Sequence, residues 1–346
     1  MTKTKPTKKL KIKNRFTGLI GQVKAKRKMD FHLDNFDATK VLPHMMFIAP
    51  KGCGKTLMAK AVGRNLLSAE PTMRVTTDSM GERATTEIPA GEAPKRFLEV
   101  NCSSIKSVPQ FVEGLLMDKI LNQEVTVLFD EAHMLPNDVS MFLLTALNPN
   151  PNNFNSMTFN DHTFDFNFRR QTFMFATTEA HKIFHALIDR CDRVDLEEYT
   201  MTQLGAIVEL NLTNLKLKCD ESLLEEIAIV LRGNARAAQK MANNMKNYLA
   251  RAKKKKFDVG DWAKLKYALG IMPLGLNDIE IQILKALRGR KDCSLTNLSA
   301  KVGLTAQCIR QDFEMYLQKT NLMSINTGGR SLTVEGKDYL KKHNIK

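Results

Sequence analysis

The chain has 346 residues, 43% hydrophobic and 26% charged, with 52 Lys/Arg against 37 Asp/Glu and a net charge of +15. That length accommodates two or three domains, and the charge points to polyanions, either nucleic acid or a membrane surface. The sequence has no run of about 18 apolar residues to span a bilayer, no apolar signal-peptide core at its start, and no C-x-x-C pair among its six cysteines. Neither a zinc site nor a disulfide framework is therefore expected, and reduced thiols in a cytoplasm are.

In chain order, seven Lys/Arg fall within residues 1–15. Residues 1–14 read as a basic disordered tail, either an arm towards DNA or a solubilising extension. A strand-like Met45-Met-Phe-Ile48 then leads into Ala49, Pro50, Lys51, Gly52, Cys53, Gly54, Lys55 and Thr56, and Leu57 continues a helix. Strand, Gly-containing loop, Lys-Thr and helix make the layout of a phosphate-binding loop. Backbone N–H groups along it would cradle a polyphosphate, Lys55 would reach the β/γ oxygens and Thr56 would hold Mg²⁺. Ala49 stands where a glycine is usual. Residues 68–95, rich in Thr, Glu, Gly and Pro, read as an inserted surface loop.

Val125-Thr-Val-Leu-Phe129 reads as a buried parallel strand ending in Asp130, Glu131, Ala132 and His133. Asp130 at the strand's carboxyl end can hold the Mg²⁺ water shell, and Glu131 can polarise the water that attacks a γ-phosphate. The alternative is two carboxylates capping the next helix. Residues 148–171 suggest a β-hairpin with Phe164, Phe166 and Phe168 on one face. Gln171–Thr178 is another buried strand, ending in hydroxyls. Arg190 and Arg193 follow, either at a subunit edge or as surface ion-pair partners.

Helical periodicity takes over across 200–270, where Gly233 stops one helix and Asn234 caps the next, placing Arg236 in its first turn. The basic run Arg251–Lys256 is either a solvated helix end or a phosphate contact. Leu295–Val302, Gly303-Leu304 and Ala306–Leu317 form a helix-turn-helix pattern, and Leu322–Val334 alternates around Gly328-Gly329 as a hairpin wing. Residues 273–346 hold 12 Lys/Arg against 7 Asp/Glu. Arg330 at the wing tip and Arg310 on the second helix are the candidate DNA contacts, with binding expected to weaken steeply with salt.

Together these motifs resemble the AAA+ ATPases and, within them, the RuvB Holliday-junction branch-migration motors, in order from about Arg15 to Leu340. Arg15-Phe-Thr-Gly-Leu-Ile-Gly-Gln22 is similar to that family's box before the phosphate loop, which implies that Ile20 and Gly21 pack on adenine. Asp130-Glu131-Ala-His133 resembles Asp-Glu-Ile-His. Ala176-Thr-Thr178 implies sensor 1 at Thr178. Asp189-Arg190 falls where the trans-acting arginine finger sits, although Ile188 and Cys191 depart from the pattern. Gly233-Asn-Ala-Arg236 implies sensor 2 at Arg236, and Leu274-Gly-Leu-Asn-Asp resembles the opening of the RuvB winged helix.

The resemblance implies an α/β fold: an AAA+ αβα nucleotide-binding domain over 15–199, a helical lid over 200–272 and a winged-helix domain over 273–346. It implies an ATP- and Mg²⁺-dependent motor that forms a ring, a hexamer, on the duplex arms of four-way junctions and drives branch migration in recombination and repair. A RuvA-like junction-binding protein would dock on the hairpin 148–171, and the setting would be cytoplasmic, at the nucleoid in a bacterium. Two other readings stand beside it: a clamp-loader-like or replication-initiator-like DNA-binding switch, and a DNA-binding scaffold that keeps ATP without hydrolysing it.

Overall fold

The computed structural model describes residues 15–77, 83–160 and 162–345, so the basic tail expected at 1–14 lies outside them. The chain divides into two compact units. One runs to Asn211 and takes in Gly233–Met241; the other comprises Leu212–Arg232 and the chain from Ala242 onwards. This division falls elsewhere than the expected boundaries at 199/200 and 272/273.

The first unit contains nine strands: β1 (Met45–Ile48), β2 (Thr72–Thr77), β3 (Arg83–Ile88), β4 (Arg96–Asn101), β5 (Val125–Asp130), β6 (Phe154–Phe159), β7 (His162–Asn167), β8 (Gln171–Thr177) and β9 (Asp192–Asp195). Five of them make one parallel sheet in the order β4-β5-β8-β1-β9. Helices α1 (Val23–Thr39), α2 (Lys55–Gly63), α3 (Val108–Phe111, running on in π-type turns to Ile120), α4 (Asn137–Ala146) and α5 (His185–Ile188) complete it, with α6 (Met201–Asn214) following. β8 is buried along its whole length and β5 up to Asp130, as expected of parallel strands covered on both faces. α1 buries Ala25, Met29, His32, Leu33 and Phe36, one helical stripe. The carboxyl ends of β1, β5 and β8 converge, so the loops after Ile48, Asp130 and Thr177 share one edge of the sheet.

Both off-sheet segments are antiparallel hairpins. Residues 68–95 do not form a plain surface loop: β2 and β3 pair from Thr72↔Ile88 to Thr77↔Arg83. The stem is tied by Ser68 N–H to Ala93 O and Lys95 N–H to Leu66 O. Threonines supply the β-branched content. In the second hairpin, Phe164, Phe166 and Phe168 are buried in the main core with Phe173 and Phe142, so the aromatic face is spent on internal packing.

The second unit opens with α7 (Glu221–Val230), α8 (Ala235–Ala252, begun in the first unit) and α9 (Val259–Ala268), with a short parallel pair β10 (Lys218–Cys219) and β11 (Lys256–Phe257). Next come α10 (Asp278–Leu287) and α11 (Leu295–Val302), then a helix over 306–319 that opens as α12 (Ala306–Cys308) and closes as α13 (Met315–Lys319). The wing β12 (Met323–Asn326) and β13 (Gly329–Leu332) precedes α14 (Val334–Lys342). Asn277 and Glu280 form a capping box at the start of α10. Gly303 at φ 73 ends α11 and makes the turn of the helix-turn-helix. All six cysteines are free. Among the described residues, no group of His, Cys, Asp and Glu has a metal-binding arrangement, and no helix is long and apolar enough to cross a membrane.

Candidate nucleotide site and nucleic-acid interface

The loop after β1 owes its shape to two glycines. Gly52 and Gly54 have φ of 83° and 91°, in the left-handed region that favours glycine. A Cβ on Gly52 would overlap the Asn234 carboxamide, and one on Gly54 would lie 2.8 Å from Tyr199 Oη. Ala49 is not at positive φ and is 3% exposed within the apolar core. Its methyl group therefore points into packing, and the departure from glycine there leaves the loop unobstructed.

Lys55 lies buried at the start of α2. Its ammonium donates to Ala49 O at 2.8 Å and Pro50 O at 3.1 Å. Burial lowers its pKa, with Cys53, Glu131 and Asp130 opposing and Arg236 adding to the lowering. The loop's own carbonyls thus hold a cation that a phosphate can draw off by offering full negative charge. Thr56 Oγ1 donates to Asp130 Oδ2 at 3.0 Å, and Asp130 Oδ1 accepts Glu131 N–H at 3.0 Å. A hydroxyl and a carboxylate side by side are hard oxygen donors of the kind Mg²⁺ takes. Glu131 itself sits at φ 54°, a strained conformation for a non-glycine residue. Its carboxylate is 41% exposed beside the loop.

Among the expected sensors, Thr178 follows the end of β8 and is half-buried. Its neighbour Thr177 is fully buried and makes the polar contacts: Oγ1 meets His133 Nδ1 at 3.0 Å and accepts Glu179 N–H at 3.0 Å. Asn234 caps α8 as anticipated, accepting Arg236 N–H at 2.9 Å and Ala237 N–H at 3.2 Å. Ala235 N–H donates to Gly52 O at 3.0 Å, which brings exposed Arg236 to the phosphate loop. Ile20 and Gly21 are half-buried just before Gln22.

The sequence reading missed Gln22. At φ 56° and 6% exposed, it donates from Nε2 to Cys53 O at 3.3 Å and Glu197 O at 2.7 Å, and accepts Glu197 N–H at 2.9 Å. Its signal was a polar residue next to a glycine before a helix. The sequence reading quoted Tyr199 without a role; the structure stands it over Gly54.

Arg190 is not near its own chain's phosphate loop. β9 begins beside Met45 and the loop leaves β1 after Ile48, so Arg190 lies at the opposite edge, at least about 10 Å away along the strand. Its guanidinium donates to Ala186 O at 2.9 Å and Asn148 Oδ1 at 3.3 Å. Arg193 pairs with Asp195.

On the winged helix, Arg310 is exposed on the second helix. Arg330 is a correction. It follows Gly329 on the return strand, behind the wing tip, and its side chain is 14% exposed. It makes a bidentate pair with Glu314 at 2.7 and 3.1 Å. Glu314 is 2% exposed and would be left uncompensated without it. The Arg330 main chain also bonds both ways with Cys293, and a Cβ on Gly329 would overlap the Cys293 carbonyl, so the strand is drawn inward.

Comparison with known proteins agrees with this geometry. Residues 45–199 match the ATPase family associated with various cellular activities (AAA), and residues 273–341 match the RuvB C-terminal winged helix domain. A Holliday junction branch migration complex subunit RuvB from Wolbachia sp. subsp. Brugia malayi is 24% identical over 308 residues, covering 87% of this chain and 84% of its own. The protein of the same name from Thermotoga petrophila is 22% identical over 335 residues, with 93% and 89% covered. Among solved structures, the Thermotoga maritima RuvB Holliday junction branch migration motor superposes with a TM-score of 0.69 at 20% identity, covering 93% of this chain and 95% of its own. With the phosphate loop and Asp130-Glu131 strand inside the first match and the helix-turn-helix and wing inside the second, the chain belongs to the AAA ATPase family and ends in a RuvB-type winged helix domain.

Proposed function

We propose that the protein is an ATP-driven DNA motor of the RuvB type that moves the branch point of four-way junctions. The observation that carries this reading is the bonded series Thr56–Asp130–Glu131 at the phosphate loop, in a chain that also carries a RuvB-type winged helix. The printed names of the curated relatives support the same activity. The Ala49 methyl group, buried away from the loop, gives no support to a scaffold that binds ATP without turnover.

In this mechanism, the N–H groups from Lys51 to Leu57 hold the phosphates while Lys55 exchanges its carbonyl partners for phosphate oxygens. Thr56 and, through water, Asp130 hold Mg²⁺, which when bound offsets charge on the phosphate oxygens. Glu131 orients the attacking water and accepts its proton. Thr178 and Arg236 respond to the γ-phosphate, and Ile20 and Gly21 pack on adenine. Arg190 acts on the site of a neighbouring subunit, which requires a ring, a hexamer around duplex DNA. The winged helix contacts the DNA backbone, with Arg310 foremost. A junction-binding partner of the RuvA kind docks on the hairpin 148–171.

The test is ATP-dependent strand displacement of a synthetic four-way junction, with and without such a partner. Migration that is lost in Glu131→Gln is expected. Robust DNA-stimulated hydrolysis with no migration in either condition would leave a DNA-binding switch in place of a motor.

A further inference from the structure

His133 lies two residues past Glu131, with its side chain 8% exposed. Its Nδ1 meets Thr177 Oγ1 at 3.0 Å. On its other side, Nε2 lies 3.1 Å from Glu179 Oε2 and 3.5 Å from Glu131 Oε2. Glu179 uses its second oxygen on Lys182 Nζ at 2.8 Å, and that hydrogen bond, with the charges of Lys182 and His133, holds its carboxyl below the usual range.

One imidazole nitrogen carries at most one hydrogen, so a single N–H bond faces two carboxylates. The shorter distance is within hydrogen-bond range and the longer is not. In this arrangement the bond goes to Glu179, and Glu131 stays uncommitted. Thr177 sets this direction. Its oxygen accepts Glu179 N–H and its hydroxyl hydrogen can go to Nδ1, which makes Nε2 the protonated nitrogen of the neutral ring. A charged ring also donates from Nε2, towards the same two acceptors.

We propose that His133 is a positioning residue that governs whether Glu131 is available to the attacking water. While Nε2–H is given to Glu179, Glu131 is free to accept the water's proton. A small turn of the ring that gives the bond to Glu131 occupies the base and halts turnover. Glu179, at the end of β8, therefore competes with the attacking water's base for one donor. This inference rests on the reading of Glu131 as the base.

The experiment is a double-mutant comparison of steady-state ATP hydrolysis in the full chain. In Glu179→Ala the donor has only Glu131 left, so kcat should fall about tenfold, as one charge-assisted hydrogen bond is worth, with KM for ATP unchanged. Adding His133→Ala removes the donor and should restore kcat to within about threefold of the His133→Ala single variant. A structural role for either residue would make the double variant worse than each single one. Glu179→Gln, which keeps an acceptor oxygen in place, should give an intermediate kcat and serves if the alanine variant fails to fold. Unchanged kcat in Glu179→Ala, or a double variant as slow as Glu179→Ala, overturns the proposal. The Glu131→Gln control separates the two claims. If it abolishes turnover while the His133–Glu179 rescue is missing, this inference alone falls; if it retains turnover, the assignment of the base falls with it.

Discussion

Gly52→Ala probes how the phosphate loop is joined to the helix that carries Arg236. Gly52 sits at φ 83°, and a Cβ there would overlap the Asn234 carboxamide, whose Oδ1 caps Arg236 and Ala237. Two separable costs follow. Holding alanine in the left-handed region costs about 1–2 kcal/mol, and losing the cap when Asn234 swings aside costs about 1 kcal/mol. If the bound state needs the native loop, the sum of about 2–3 kcal/mol weakens nucleotide binding roughly 30- to 150-fold. Titration with a fluorescent ATP analogue measures it. In an Asn234→Ala background the cap is already gone and the side chain is short, so Gly52→Ala should cost about 1 kcal/mol less there. Gly91→Ala, at φ 81° with open space around it, carries the strain without the overlap and should leave nucleotide binding unchanged. An identical cost for Gly52→Ala in both backgrounds would refute the reasoning, because the contact with Asn234 would then contribute nothing.

Three other outcomes are expected. His44 is flanked edge-on by Phe168 and Phe173 with Nδ1 unpartnered, and burial pushes its pKa from 6.5 down to about 4. Below pH 6.5 the unfolded chain takes up a proton that the folded chain refuses, so stability should fall as pH drops from 6.5 to about 4, by up to about 3 kcal/mol. His44→Phe should shrink the difference between urea midpoints at pH 7 and pH 4.5. Glu280, 0% exposed, pairs with Arg232, whose guanidinium also bonds Gly275 O and lies 4.1 Å from the Tyr316 ring centroid. Arg232→Ala should therefore destabilise the second unit by about 3–5 kcal/mol and Glu280→Gln by less, as read by chemical denaturation followed through Trp262. Arg310→Ala should lower DNA affinity across sequences and reduce the salt slope by about 1, whereas Arg330→Ala should chiefly lower stability by exposing Glu314's unpaired charge, as shown by melting without DNA.

Local pattern made much of this legible. The buried runs of β1, β5 and β8, the Lys-Thr after the loop and the Asn234 cap depend on neighbours within a few residues, and each lies where its residues imply. Contacts between distant segments were not legible. Gln22 is polar in a stretch whose apolar residues drew attention, and its partners Cys53 and Glu197 are far along the chain. The Thr177-Thr178 pair offered two equivalent hydroxyls; the parallel register sets Thr177 beside Ile48 and its side chain against His133. Arg330 read as a tip residue because the glycines mark the turn, but the sequence gave no sign that Glu314, sixteen residues earlier, stands against it. The hairpin at 72–88 was obscured because threonine strands without apolar alternation look like loop.

The hairpin of 154–167 has a mechanical consequence. Its return strand is bolted to the core by Phe164, Phe166 and Phe168 and passes through a short turn straight into β8. An arm clamped along one side acts as a stiff cantilever, so load at its free end is carried as torque into that strand and little of it is absorbed in loop bending. β8 ends at Thr177, against His133. Force on the arm and chemistry at the phosphate loop are therefore in series along a single strand, and a softer arm, made by emptying the Phe166 site, would slip where this one transmits.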